Sequence, residues 1–131
     1  MKLLKIVFFV LIGSSAFQAL GQGFERPSIE ERVNNEKKRV LEKVNDMTED
    51  QRLIFDQIYV EYSEALEKTF SASAGNFQGM REKMQVIRKD KDEAIKEILN
   101  ETQFASYQEV MKAQQQNRRR RRQGRNGGSN N

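Results

Sequence analysis

Few side chains in this chain of 131 residues could do chemistry, because the sequence contains neither histidine nor cysteine. Disulfides, thiol nucleophiles and imidazole acid–base catalysis are therefore excluded, and sites for zinc, copper or nickel lose their usual ligands. Carboxylates, lysines, hydroxyls and methionine sulfurs remain as the groups on which any chemistry would depend.

The densest cluster of carboxylates is formed by Asp90, Asp92 and Glu93. Paired carboxylates can act as acid and base, or can bind calcium. Lysines alternate with them, at Lys89, Lys91 and Lys96. Such alternation is typical of a solvated helix face. The sequence has no calcium-binding loop, no glycine-rich phosphate cradle and no evident nucleophile–base pair, so we expect no enzyme activity, no cofactor and no metal site.

A run of arginines is a candidate anion-binding segment. It consists of Arg118, Arg119, Arg120, Arg121, Arg122 and Arg125. Because the guanidinium fork suits phosphate and carboxylate, the run could bind lipopolysaccharide, anionic polysaccharide, membrane headgroups or acidic proteins. The alternative is a solvated tail that keeps the protein in solution. Residues 118–131 are of low complexity, and we predict that they are disordered.

The first segment of the chain has the pattern of a signal peptide. Lys2 and Lys5 precede an apolar run of about ten residues, which is too short to cross a bilayer as a helix. We predict cleavage after Gly21, with Ala16 as the alternative site and an uncleaved anchor as the other interpretation. Residues 1–21 therefore predict export to the periplasm or the extracellular space, where nucleic acid is not an expected partner. The mature form should have no transmembrane segment.

The apolar residues repeat at helical spacing, and no segment alternates as a strand would. The pattern predicts an all-α fold with four helices, over residues 29–44, 49–70, 77–99 and from 101 to about 116. We expect an elongated arrangement of two helical hairpins within residues 28–117, preceded by a flexible lead-in at 22–27. Lys91 interrupts the apolar face of the third helix. Its stem should lie along apolar surface while its charge stays in water.

The second helix has the broadest apolar face. Its members are Leu53, Ile54, Phe55, Ile58, Tyr59, Tyr62, Leu66 and Phe70. Tyr59 and Tyr62 are candidates for a client-binding or dimer surface, because tyrosine hydroxyls favour half-buried settings, with plain core as the alternative. Met80 and Met84, four residues apart on the third helix, are further candidates for that surface, and core is again the simpler interpretation.

Two similar motifs mark corners between helices. Their key residues are Met47, Thr48 and Gln51 in the first and Leu99, Asn100 and Gln103 in the second. Thr48 and Asn100 can accept a hydrogen bond from a free amide of the following first turn, and the glutamine three residues later can reach back to the amide of the cap. Each motif therefore predicts a capping box at the start of a helix.

With its two corner motifs and predicted export, the chain resembles the LTxxQ-motif family of periplasmic Spy/CpxP-type proteins. Met47 replaces the leucine of that motif, and Asn100 replaces its threonine. The resemblance, from about Val33 to Gln115, implies a Spy-like curved antiparallel homodimer whose concave face binds unfolding clients without ATP. Metal-sensing relatives use histidines, which this chain lacks. Other relatives are stress-response accessory proteins.

These features together predict an exported, ATP-independent chaperone (a holdase) or an envelope-stress accessory protein. Its partners would be unfolded or partly folded envelope proteins and a second copy of the chain. One alternative is an anion-binding surface protein that acts through the arginine run. Another is a sensor or regulator in an envelope stress signalling system.

Overall fold

The computed structural model describes residues 27–126, and all of its regular structure is helical. The helices are α1 (Ile29–Lys43), α2 (Glu49–Ala72), α3 (Phe77–Ile98) and α4 (Glu101–Asn126). No strand occurs within the described range, and the prediction of an all-α fold with four helices is confirmed. The predicted signal peptide and most of the predicted lead-in lie outside the described residues.

Local chemistry explains where the helices begin and where the chain turns. Ser28 caps α1, and its side chain and that of Glu31 form a reciprocal capping box. Asn76 caps α3 by accepting a hydrogen bond from the amide of Gly79 at 3.1 Å. Between α2 and α3, Gly75 has a φ of 89°, a left-handed conformation that glycine adopts without steric cost.

The fourth helix is longer than the sequence pattern predicts. We expected the helix to fade near residue 116 and the arginine run to be disordered, but α4 continues to Asn126. Arginine and glutamine are strong helix formers, and the stretch from 101 to 123 contains neither glycine nor proline. Low complexity therefore did not mean disorder for residues 118–126. Residues 127–131 lie outside the described part of the chain.

The core lies where α2 packs along α3 and α1 packs on both α2 and α4. Every helix contributes buried apolar or aromatic side chains to the core. Two of the buried residues, Val44 and Leu99, directly follow α1 and α3. The buried residues are Val33, Val40 and Val44 from α1, Phe55, Tyr59, Tyr62 and Leu66 from α2, Ile95 and Leu99 from α3, and Tyr107 from α4. Ion pairs support the packing of α1 at the surface, with Lys37 2.7 Å from Asp56 and Lys43 3.4 Å from Glu109.

The apolar face of α2 is narrower than the sequence predicts. Leu53, Ile54 and Phe70 belong to the apolar face predicted for α2, yet 65, 50 and 56% of their surfaces are exposed. Phe55, Tyr59, Tyr62 and Leu66 point into the core. Successive side chains turn by about 100° around a helix, so only the side of α2 that packs against α1 and α3 is buried.

Candidate functional site

The first predicted corner has the geometry of a capping box. The hydroxyl of Thr48 accepts a hydrogen bond from the amide of Gln51 at 3.1 Å, and the side-chain oxygen of Gln51 accepts one from the amide of Thr48 at 2.9 Å. The preceding Met47 is half-buried and packs against the core. The local prediction for α2 is therefore confirmed.

The second corner repeats the arrangement with different residue types. The side-chain oxygen of Asn100 accepts a hydrogen bond from the amide of Gln103 at 2.8 Å, and Gln103 accepts one from the amide of Asn100 at 3.1 Å. Leu99 is buried, and so is Gln103, of which only 4% is exposed. Both boxes thus form as their sequences predict.

The structure also brings the two corners together, which neither motif predicts. The side-chain amide of Gln51 donates hydrogen bonds to the side-chain oxygen of Gln103 at 2.9 Å and to the carbonyl of Ile98 at 2.8 Å. In return, Gln103 donates to the carbonyl of Asp46 at 3.2 Å. Each glutamine therefore bonds to the residue two places before the other cap. We call this arrangement the glutamine clamp, and it joins the start of α2 to the start of α4.

A buried ion pair lies deeper in the molecule. The ammonium of Lys91 on α3 contacts the carboxylate of Glu36 on α1, and the two side chains are only 3% and 7% exposed. The hydroxyl of Tyr59 donates a further hydrogen bond to the same carboxylate at 3.2 Å. The expectation that the charge of Lys91 stays in water is wrong, because a carboxylate on α1 compensates it inside the core.

Aromatic rings surround the ammonium of Lys91. Its nitrogen lies 4.5 Å from the ring centre of Tyr62, 5.5 Å from that of Tyr59 and 5.8 Å from that of Tyr107. These are all three tyrosines of the chain. Ring faces at such distances attract a cation, most strongly when it is removed from water. We call Lys91, Glu36 and the three tyrosines the lysine centre.

The lysine centre keeps its phenols protonated. Burial raises the pKa of Tyr59 far above its ordinary value, and the negative charge of Glu36 raises it further. Burial likewise raises the pKa of Tyr107, assisted by Tyr59 and by the hydrogen bond that Tyr107 donates to Asp92. Both hydroxyls therefore act as hydrogen-bond donors and not as bases.

The centre opens on one side into a cavity of about 580 Å³, to which all four helices contribute. Tyr62 and Tyr107 form part of its wall, and Phe104 stacks on Tyr107 with ring centres 5.8 Å apart. Basic side chains from α3 and α4 also line it. A volume of this size is in the range that holds small organic ligands.

The four residues predicted as a client or dimer surface differ in burial, since the two tyrosines are buried and the two methionines are half-buried. Tyr59 and Tyr62 are 2% and 6% exposed and lie in the core of the single chain, the alternative that the sequence also offered. Their ring centres lie 5.5 and 4.5 Å from the buried ammonium of Lys91. Met80 and Met84 are half-buried, and Met84 packs against the core.

The arginines of α4 are mostly exposed. They occupy its last turns, at Arg118, Arg119, Arg120, Arg121 and Arg122. Arg118 also lines the cavity beside the lysine centre. The side chain of Arg125 lies outside the described residues. Within residues 27–126, no group of three or more acidic side chains is placed to hold a metal ion.

Sequence reasoning missed the lysine centre, although a signal for it was present. Glu36 lies between Val33 and Val40 on the apolar stripe of α1, and Lys91 lies between Ile87 and Ile95 on that of α3. Two stripes interrupted by opposite charges indicate that the charges could meet. The spacing within each helix does not say which helices are neighbours.

Comparison with known proteins gives no match among family models, curated proteins or solved structures. The resemblance to the LTxxQ-motif family therefore stays a prediction that depends on the two corner motifs. None of the helices between residues 27 and 126 combines the length and apolarity needed to cross a bilayer.

Proposed function

We propose that this protein is an exported holdase that binds unfolding proteins through apolar side chains on α2 and α3 and uses neither ATP nor catalysis. The observation that carries the proposal is the set of large apolar residues left about half or more exposed. They are Leu53, Ile54, Val60, Phe70, Phe77 and Val86. Export itself depends on the predicted signal peptide.

The surroundings of these residues suit weak and varied contacts. Leu53 and Val60 lie seven residues apart on one side of α2, and the acidic Glu64 and Glu67 continue that side toward the end of the helix. Phe70 and Phe77 flank the turn between α2 and α3. Apolar surface mixed with charge gives partial burial of a client together with fast release, because no single contact is optimised. A homodimer would cover part of this surface, and we include it in the proposal.

The test is an aggregation assay with a chemically denatured client at near-stoichiometric ratio. We expect the mature protein to delay aggregation, and the double variant Phe70→Ser with Phe77→Ser to lose most of this effect while keeping its helical circular dichroism. The matched control is Glu64→Gln, an exposed change on α2 that leaves the apolar residues intact. Equal protection by the wild-type protein and the double variant would contradict the proposal.

A second candidate function is binding of anionic polymers by the end of α4. The observation in its favour is that Arg119 to Arg122 are exposed, and no carboxylate of the described chain lies within ion-pair distance of them. The discriminating variant replaces these four arginines by glutamine, which is also a good helix former. If salt-sensitive binding to a polyanion such as heparin is the only activity and this variant abolishes it, the second candidate is correct.

A further inference from the structure

The cavity beside the lysine centre has an excess of positive charge. Four basic side chains line it, namely Arg88, Lys91, Lys112 and Arg118. Among the described residues, two acidic side chains line it, Glu36 and Asp92. Both carboxylates already have partners in the protein, since Glu36 accepts from Lys91 and Tyr59, and Asp92 accepts from Tyr107. The basic side chains of the lining therefore outnumber its carboxylates by two, and both carboxylates lie within ion-pair distance of Lys91.

Arg88 is the most informative of these basic residues. It lies on α3, three residues before Lys91, and its Nε atom is buried without a hydrogen-bond partner in the described structure. A buried donor of a charged group is costly to leave unpaired, so such atoms are rare unless a ligand or water completes them. Within residues 27–124, the charged nitrogens of Arg88, Lys112 and Arg118 have no carboxylate oxygen within 4.0 Å.

The remaining lining of the cavity combines aromatic and apolar side chains with three glutamines of α4, Gln108, Gln114 and Gln115. The stacked rings of Phe104 and Tyr107 and the thioether of Met111 supply a surface for the body of a ligand. Met111 contributes a polarisable sulfur, which adapts to irregular shapes. A ligand that fits would combine a negatively charged head with a compact apolar body.

We propose that this cavity binds a small organic oxyanion, a carboxylate or a phosphate ester, with its charged group held by Arg88 and Arg118 and its apolar body against Phe104 and Tyr107. Guanidinium groups pair with both kinds of oxyanion through two parallel hydrogen bonds. The site shares Arg118 with the arginine run but does not include Arg119 to Arg122, and it does not depend on holdase activity.

The test is isothermal titration calorimetry on the mature protein with four probes. Phenyl phosphate and phenylacetate carry both parts of the proposed ligand. Benzyl alcohol carries only the ring, and inorganic phosphate carries only the charge. We expect saturable binding of at least one of the first two, at least tenfold tighter than that of either partial probe. Equal affinity for a whole and a partial probe, or no saturable binding at about 10 mM, would overturn the proposal.

Variants locate the binding within the molecule. Arg88→Gln should weaken the binding by about tenfold or more, since it removes a charge-assisted contact. The matched control is Arg81→Gln, an exposed change two turns earlier on α3 that should leave the affinity unchanged. If Arg88→Gln does not fold, Lys112→Gln and Arg118→Gln, both at exposed positions, should each weaken binding severalfold. Unchanged affinity in these variants would place the probe elsewhere and contradict the proposal.

Discussion

The glutamine clamp and the lysine centre both join helices through polar side chains, but they do so with different physics. The clamp depends mainly on neutral amides: the glutamines hydrogen-bond to each other and to backbone carbonyls at distances from 2.8 to 3.3 Å, and Gln103 also donates to the carboxylate of Asp46 at 3.4 Å. The lysine centre instead holds opposite charges that are 3% and 7% exposed. Neutral hydrogen bonds contribute modestly one by one, whereas a buried charge depends strongly on its partner. The lysine centre should therefore be the more sensitive of the two to single substitutions.

The largest expected effect is the loss of one charge from the lysine centre. Glu36→Ala leaves the ammonium of Lys91 buried with only the half-exposed Asp92 at 3.6 Å, and we expect a loss of about 3 to 5 kcal/mol in unfolding free energy. Urea denaturation followed by circular dichroism measures this. The double variant Glu36→Leu with Lys91→Met should recover most of that loss, because an apolar pair needs no charge balance. If Glu36→Ala lowers the unfolding free energy by less than about 1 kcal/mol, the lysine centre is no more sensitive to substitution than the glutamine clamp.

The next effect is a loss of stability in alkaline solution. In the unfolded chain tyrosines ionise near pH 10, whereas burial raises the pKa of Tyr59 and Tyr107 in the folded chain. Above about pH 10 the unfolded state therefore binds fewer protons, and stability should fall by about 1.4 kcal/mol per pH unit for each of these tyrosines. Below that pH the two groups should contribute no pH dependence.

Absorbance at 295 nm checks this prediction, because it reports tyrosine ionisation directly. Ionisation of at least two of the three tyrosines should coincide with unfolding in an alkaline titration. If all three ionise while the circular dichroism remains native, the phenols of the lysine centre are not protected as the structure indicates.

Truncation of the clamp should have a smaller effect. Gln51→Ala and Gln103→Ala should each cost about 1 to 2 kcal/mol, since each removes hydrogen bonds to the partner glutamine and to the backbone. Gln103 should be the more costly because it is the more buried. The double variant should lose less than the sum of the two, because the side chains share hydrogen bonds. Strict additivity in urea denaturation would show that the two corners do not interact.

The smallest effect should come from the cap itself. Thr48→Ala removes one hydrogen bond at an exposed helix start and should cost about 1 kcal/mol. Thr102→Ala makes the same change at an exposed position in the first turn of α4 and should stay within about 0.5 kcal/mol. If Thr48→Ala lowers the unfolding free energy as much as Glu36→Ala does, the lysine centre is not the more sensitive of the two regions.

Helix starts were predictable from the sequence because their chemistry is local. The caps at Ser28, Thr48 and Asn100 each bond to a residue three positions later, so a short stretch of sequence contains all the partners. The all-α class followed from helical spacing of apolar residues for the same reason. The end of α4 at Asn126 was not predicted, because the low complexity of the arginine run indicated disorder although arginine and glutamine favour helix.

The sequence by itself determined which residues turn, which cap and which stripes are apolar, since these depend on neighbours within four positions. Only the tertiary structure decided that Gln51 meets Gln103 and that Lys91 meets Glu36, partners separated by 52 and 55 positions. It also decided that Leu53 faces solvent while the ring of Tyr59 lies beside the buried ammonium of Lys91. The physical reason is that burial and charge compensation depend on which helices pack together, and helical spacing within one segment does not contain that information.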